Sequence, residues 1–239
     1  MKRTILSTLL TLAVLPIFAQ LNLQLHYDFG HHIYGDKLAN RPHLTATIEN
    51  FTADRWGSTF LFVDANFADN QMVSTYAELS RELRFWEAPF AVHIEYNGGL
   101  ENLFSYNDAY LVGAAWNWAN QDFSKTFSAQ ILYKYLACQA PDNRHSCQFT
   151  SVWGIHFADG LCTFSGYADL WLDRTIKGGW MLSSEPQFWV NLNALDNVSD
   201  DFNLSIGAEV ELSRGLVYTT LRNNEKFYAI PTLGLKWRF

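Results

Sequence analysis

Most of the sequence consists of segments in which apolar and polar side chains alternate, and this alternation constrains the fold more than any other feature. In residues 228–239, for example, Leu233, Leu235 and Trp237 alternate with small or charged residues. A period of two residues is that of a β-strand whose two faces meet different surroundings. We count twelve such segments, at residues 21–30, 42–52, 56–67, 73–86, 90–97, 108–118, 125–138, 147–158, 161–174, 183–195, 202–213 and 226–239.

The connections between these segments alternate in length. The long ones are 31–41, 98–107, 139–146, 175–182 and 214–225, with 68–72 as a short member of that series; the short ones are 53–55, 87–89, 119–124, 159–160 and 196–201. Long outer loops, short periplasmic turns and an even strand number are typical of outer-membrane barrels. A soluble β-sandwich, which the composition also allows, gives no reason for this asymmetry. We therefore predict an all-β fold, a transmembrane antiparallel up-and-down β-barrel of about twelve strands with both termini in the periplasm.

The start of the chain has the features of a secretory signal peptide. Lys2 and Arg3 precede an apolar stretch, 5–18, and the small residue Ala19. The stretch is too short for a membrane helix and leads directly into strand pattern. We predict that residues 1–19 are removed and that residues 20–239 form the barrel, in the outer membrane of a Gram-negative cell. Ile17 is larger than the residue usual at its position, so the exact bond stays open.

The charge balance argues against nucleic acid as a partner. Lysine and arginine number 17 against 24 aspartate and glutamate residues, a formal net charge of −7. Proteins that bind nucleic acid neutralise phosphates with clustered basic residues. The charge balance does not discriminate among other functions.

Strand parity assigns aromatic and charged side chains to the inner face of the barrel. Aromatic rings there can stack on a planar solute, while charged neighbours supply hydrogen bonds. The same residue types also fill or plug small barrels, and the sequence leaves both roles open. Twelve strands enclose more room than eight and much less than sixteen, which favours a narrow passage. The predicted lumen-lining residues are Phe60, Phe62, Tyr76, Tyr167, Trp171, Trp189, Glu49, Asp64, Glu78, Glu95, Asp169, Glu209, Arg84, Lys134 and Lys236.

Several segments resemble a known family. The segments "DRWGSTFLFVD", "SRELRFW", "HIEYNGG" and "KFYAIPTLGLKWRF", with "YDFG" near the start, resemble the nucleoside-specific channel-forming (Tsx-like) outer-membrane porins and, more closely, related small outer-membrane proteins of unassigned function. The final residues, with Trp237 and Phe239, resemble the carboxy-terminal signature of bacterial outer-membrane barrels.

The resemblance implies a function and a set of partners. It implies a monomeric twelve-stranded barrel whose narrow lumen binds nucleosides and lets them diffuse passively. The implied partners are outer-membrane lipid, a nucleoside-like solute and, during biogenesis, the barrel assembly machinery.

Two cysteines bracket the fourth outer loop, "CQAPDNRHSC". The periplasm is oxidising, and two strand ends joined by a short loop can come within bridging distance. We predict a disulfide between Cys138 and Cys147, with two free thiols as the alternative. Cys162 is left over and is predicted to be a small buried or interfacial residue.

No catalytic or metal-binding pattern is evident in the sequence. A lipid hydrolase in the membrane would need a Ser–His pair on its lipid-facing side, whereas parity turns His26, His43, His93 and His156 inward. Two cysteines and scattered histidines do not form a zinc pattern. We therefore predict no enzyme activity, no catalytic residue, no metal and no cofactor. A non-conducting structural or adhesive barrel is the main alternative to a channel, ahead of a lipid-modifying enzyme.

Three residues fit the strand pattern poorly. Arg81 shares its predicted outward face with leucines, which requires either that it reaches the membrane interface or that a bulge shifts the parity. Pro186 and Pro231 lie inside predicted strands although a closed barrel has no free edge. We expect local bulges at both prolines.

Overall fold

A computed structural model describes residues 20–39, 41–101, 104–105, 108–137, 139–173, 179–216 and 226–239. These residues form strands and little else, apart from a short helix, α1 (Gly30–Tyr34), and 3₁₀ turns at Gly35–Leu38, Pro141–Asn143 and Leu192–Ala194. The strands are β1 (Leu21–Asp28), β2 (Leu44–Asp54), β3 (Gly57–Ala68), β4 (Gln71–Leu83), β5 (Phe90–Glu101), β6 (Phe104–Ser105), β7 (Ala109–Ala119), β8 (Lys125–Leu136), β9 (His145–Phe157), β10 (Cys162–Leu172), β11 (Trp180–Ser184), β12 (Gln187–Asn191), β13 (Leu204–Arg214) and β14 (Phe227–Arg238).

The strands close into a single antiparallel barrel. Each long strand pairs with its neighbours in sequence, and β14 pairs with β1 to complete the ring. β11 and β12 follow one another between β10 and β13 and together count as one strand, while the short β6 adds to the end of β5. The predicted closed barrel of twelve strands is thereby confirmed, with β6 as an extra strand.

The pairing register fixes which side chains face the lumen. In an antiparallel sheet, directly opposite residues point to the same face. Gln24 lies opposite Thr47, Thr47 opposite Asp64, and Asp64 opposite Tyr76, which places a row of polar side chains inside. The alternate positions point outward and are apolar and exposed, among them Leu25, Ile48, Ile94, Val112, Ile131, Phe149 and Leu235.

The two ends of the barrel differ. We call the end that carries the β1–β2, β3–β4, β5–β7, β8–β9, β10–β11 and β13–β14 connections the loop end, and the opposite one the turn end. The β3–β4 connection is the tight turn Asp69–Asn70, whose φ angles of 50° and 60° suit a two-residue hairpin. Among the described residues, no helix has the length and apolar character needed to cross a membrane.

The structure resolves the three residues that fitted the pattern poorly. Arg81 points outward near the turn end and bonds Asp54 and Thr59, each at 2.9 Å, within an unbroken register, so it needs no bulge. The only register shift between β3 and β4 lies at Asn66/Phe67.

The bulges expected at the prolines are absent. Pro231 pairs with Val210 in an unbroken register, and its carbonyl oxygen accepts from the Phe29 nitrogen at 3.1 Å. The backbone of Pro231 therefore faces Phe29, just beyond the end of β1. The N–H that proline lacks would have pointed the same way, so its absence removes no hydrogen bond between paired strands. Pro186 instead interrupts its strand between β11 and β12 without adding a residue, since the pairing with β13 keeps one register on both sides.

Candidate functional site

One side of the lumen contains a cavity of about 260 Å³. It lies against β1 to β4 and β12 to β14, and we call it the acidic cavity because six carboxylates line it. Its lining residues are Gln24, His26, Asp28, Arg41, Pro42, Thr45, Thr47, Glu49, Phe62, Asp64, Asn66, Ser74, Glu185, Gln187, Glu209, Glu211 and Thr232.

Three carboxylates of the acidic cavity accept hydrogen bonds from neutral side chains. The Gln24 amide donates to Glu49 at 2.8 Å, the Thr47 hydroxyl to Asp64 at 2.5 Å, and the Gln187 amide to Glu209 at 2.6 Å. In the part of the chain that the structure describes, none of the three carboxylates lies within ion-pair distance of a lysine or arginine. Their negative charge therefore has no direct cationic partner.

The loop between β1 and β2 folds into the mouth of the barrel at the loop end. Leu38 is buried against Tyr228 and Ile230, which point inward from β14, and the Tyr34 hydroxyl donates to the Ala229 carbonyl oxygen at 3.1 Å. These contacts place α1 and the following 3₁₀ turn over one side of the opening. The loop therefore narrows the opening of the barrel at this end.

Arg41 joins this loop to the lumen wall. Its guanidinium bonds Asp28 at 2.7 Å and also contacts Glu211. Burial would lower the pKa of Arg41, but Glu211 and Asp28 outweigh that effect and raise it above its usual value. Arg41 therefore stays charged and clamps two of the six carboxylates.

Two lysines lie on the faces of two tryptophans. The Lys134 ammonium is 4.3 Å from the Trp171 ring centroid and donates to Gln148 at 2.7 Å. The Lys236 ammonium is 4.1 Å from the Trp189 centroid. Both distances fit cation–π contacts, so these predicted lumen residues meet one another in pairs.

Trp189 packs instead of lining open space. Its side chain is 0% exposed, and its indole nitrogen donates to Gln187 at 3.0 Å. A Cβ added at Gly207 would approach the ring to 2.5 Å, and one at Gly234 to 2.9 Å, so the two glycines leave the space that the indole fills. Trp189 therefore fills the lumen beside the acidic cavity, and no face is left for a solute to stack on.

Apolar side chains from β7 and β8 fill the lumen along these two strands. Ala109, Leu111, Leu132 and Leu136 point inward and form a buried cluster, which we call the leucine wall. Beside it, the His93 imidazole, also buried, lies 2.8 Å from Glu95 and 3.5 Å from Glu82. This half of the lumen is packed and internally paired, as the filling alternative proposed from the sequence requires.

The remaining predicted lumen residues occupy defined positions. Phe62 lines the acidic cavity and makes an edge contact with Tyr76, with ring centroids 6.1 Å apart. The Tyr167 hydroxyl is 3.1 Å from Ser183, and Asp169 accepts from Thr150 at 2.6 Å. Phe60 and Glu78 lie on the inner faces of β3 and β4 by register, whereas Arg84 follows β4 and is exposed at the turn end.

The structure adds residues that the candidate set did not contain. Gln24, His26, Glu185 and Glu211 line the acidic cavity and follow strand parity, so alternation alone could have included them. Arg41 lies in a loop, where no periodicity indicates a direction. Its part in the site depends on the inward fold of the whole loop.

The cysteine prediction stays a prediction. Cys138 lies outside the described residues, while Cys147 is exposed on β9 and Cys162 begins β10. In the described part of the chain, no group of three or more His, Cys, Asp or Glu side chains is arranged to hold a metal ion.

Solved structures of two porins share this fold. The NanC porin aligns over 92% of this chain and 100% of its own, at 10% sequence identity and a TM-score of 0.58. The KdgM porin aligns over 92% of this chain and 99% of its own, at 10% identity and a TM-score of 0.51. At such low identity the likeness shows the barrel fold alone. No curated protein matches the chain.

The family comparison covers the barrel from end to end. A family model described as "Domain of unknown function (DUF5020)" matches residues 19–239. The resemblance to nucleoside-specific channels stays a prediction beside it. With its barrel matched in full, the chain belongs to the DUF5020 family.

Proposed function

We propose that the protein is a narrow, substrate-selective channel of the outer membrane through which small solutes, nucleosides first among them, diffuse passively. The observation that carries this proposal is the inverted polarity of the barrel. Charged and amide side chains are buried inside, whereas leucine, isoleucine and aromatic side chains are exposed outside. Such a surface suits lipid and not water.

The outward aromatic residues support a membrane position. Exposed tyrosines lie toward the loop end, at Tyr27, Tyr96, Tyr110 and Tyr133, where Trp180 is also exposed. Four other exposed tryptophans lie toward the turn end, at Trp56, Trp86, Trp116 and Trp118. Aromatic girdles at both interfaces flank the apolar band of membrane barrels.

The structure of the lumen supports selectivity over general diffusion. The inward loop narrows one mouth, and Trp189 and the leucine wall fill part of the interior. The acidic cavity, at about 260 Å³, is slightly below the roughly 300–1,000 Å³ of ligand pockets. A solute built on one or two small rings fits this scale better than a polymer does.

A nucleoside matches the chemistry of the acidic cavity. Phe62 offers an aromatic edge or face for a base, and Glu49, Asp64 and Glu209 offer acceptors for ribose hydroxyls or base amino groups. Apart from Arg84, which is exposed at the turn end, we retain the other predicted lumen residues as parts of the lumen wall. Trp189 is assigned to packing, and Phe62 takes its place as the stacking residue.

We also propose the topology and biogenesis that the sequence predicts. Residues 1–19 are removed as a signal peptide, the barrel assembly machinery inserts a monomeric barrel, and both termini face the periplasm. The protein has no enzyme activity in this proposal. Mass analysis of the mature amino terminus and protease accessibility in intact cells test these points.

Conductance in planar bilayers tests the proposed function. We expect discrete channels that adenosine blocks in a concentration-dependent way. The substitution Phe62→Ala should weaken the block by up to about tenfold, because aromatic contacts contribute about 0.5–1.5 kcal/mol beyond area. Phe188→Ala, which removes an outward phenylalanine, is the matched control and should leave the block unchanged. Channels that adenosine does not affect would reject the nucleoside assignment.

A non-conducting structural barrel is the second candidate. It is favoured by the packed half of the lumen, where the leucine wall and the His93 pairs leave little space. A correctly folded protein that gives no conductance under any salt or voltage condition would support it and contradict the channel.

A further inference from the structure

Negative charge dominates the acidic cavity. Of the described residues that line it, six carry carboxylates, and Arg41 is the one lysine or arginine. Arg41 is held by Asp28 and Glu211, which leaves Glu49, Asp64, Glu185 and Glu209 without a lysine or arginine in the lining. Within a low-dielectric wall, such an excess focuses the field and raises the local concentration of cations.

The two lysines among the predicted lumen residues contact tryptophan rings. Lys236 lies on Trp189 and Lys134 on Trp171, where each ammonium contacts the face of an indole. Lys134 additionally donates to Gln148. Both ammonium groups therefore lie against aromatic rings of the wall, and neither lysine is among the residues that line the acidic cavity.

Two buried amide oxygens on the opposite wall have no hydrogen-bond donor within the part of the chain that the structure describes. They belong to Asn97 and Gln130, which point inward from β5 and β8, and neither accepts a hydrogen bond from a described residue. The two residues are 8% and 6% exposed. Buried acceptors that stay unpaired carry an energetic cost. These oxygens add hydrogen-bond acceptors, and no positive charge, to the wall of the lumen.

We propose that the passage selects solutes that carry a positive charge, such as an ammonium or amidinium group on a small ring, and excludes carboxylates. This inference rests on the proposed channel and specifies its solute class. Glu209 and Asp64 supply the charge, and Phe62 supplies the aromatic contact in the same cavity. A neutral nucleoside is accepted because its hydrogen-bond donors can bind the carboxylates, whereas an anionic solute is excluded.

The reversal potential in a KCl gradient at pH 8 tests charge selectivity in the conducting protein. We expect a preference for K⁺ over Cl⁻, and we expect the double substitution Glu209→Gln with Asp64→Asn to reduce it. Glu101→Gln removes an exposed carboxylate at the loop-end terminus of β5 and should change little. A preference for Cl⁻, or none, would overturn the inference while leaving the channel itself intact.

Equilibrium binding gives a readout that needs no conductance. Benzamidine and benzoate are similar in shape and opposite in charge, and calorimetry in detergent compares them on the full barrel. We expect benzamidine to bind and benzoate not to bind. The double substitution should weaken benzamidine binding by about tenfold or more, because it removes charged partners of a desolvated ligand.

The outcomes separate the two proposals. Benzamidine binding without conductance would reject the channel and keep the charge preference. Equal binding of both probes, or binding of neither, would reject the charge preference. If the double variant does not show the gel shift of a folded barrel, Asp64→Asn alone replaces it.

Discussion

The acidic cavity and the leucine wall lie in the same barrel and differ in how their space is used. Around the acidic cavity, polar side chains from β1 to β4 and β12 to β14 leave about 260 Å³ between them. On β7 and β8, Leu111 and Leu132 are among the most deeply buried side chains of the described residues. In the channel that we propose, the passage runs along the side of the acidic cavity, and the leucine wall stabilises the barrel on the other side.

We expect Trp189→Ala to have the largest effect on stability, because this buried side chain fills the lumen beside the acidic cavity. Removing a fully buried tryptophan costs about 3–5 kcal/mol. We expect a lower free energy of unfolding, measured by denaturant titration in detergent, and a wider pore. Trp118→Ala, at an outward and exposed position, is the matched control. An equal loss in both variants would contradict the packing role of Trp189.

Leu132→Ala tests the supporting role of the leucine wall. A buried leucine replaced by alanine costs about 2–5 kcal/mol. We expect the stability to fall while the conductance and its charge preference stay as in the unsubstituted protein. A changed ion selectivity would show that solutes pass along this wall too, and the contrast with the acidic cavity would fail.

The predicted disulfide would reinforce the loop that follows the leucine wall. Cys147 is the third residue of β9, just after that loop, and we expect a bond to Cys138. A loop this short is stabilised by somewhat less than the roughly 3 kcal/mol expected for fifteen residues. Mass spectrometry of non-reduced peptides checks the pairing. Alkylation of both thiols in the native protein would rule it out.

Arg41→Ala tests the clamp above the acidic cavity. Leaving Asp28 and Glu211 without their partner costs about 1–3 kcal/mol and frees the inward loop. We expect the single-channel conductance to rise. Arg55→Ala, an exposed arginine that lies on Trp56 at the turn end, should leave the conductance unchanged. A conductance unaffected by Arg41→Ala would show that the loop does not limit flow.

Strand parity was enough to predict most of the barrel. It predicted little of how the lumen is divided between the acidic cavity and packed side chains. Alternation placed Glu49, Asp64 and Glu209 inside, because the two faces of a strand meet different solvents. It could not tell that Trp189 fills space, since this depends on Gly207 and Gly234 in neighbouring strands.

The position of the β1–β2 loop and the backbone at the prolines were also hard to predict, because they too depend on neighbouring strands. The position of Arg41 follows from tertiary contacts of Leu38 with β14, and no local pattern encodes them. Bulges were expected at Pro186 and Pro231, but the register depends on which neighbour each backbone faces. Only the assembled sheet specifies that.

Thiol modification of a single introduced cysteine tests the one-sided passage most directly. In a background without native cysteines, Asp64→Cys and Leu132→Cys place one thiol in the acidic cavity and one on the leucine wall. A small cationic methanethiosulfonate reagent added to open channels should reduce the conductance of Asp64→Cys and leave Leu132→Cys unaffected. Modification of Leu132→Cys alone, or of both at equal rates, would contradict the account.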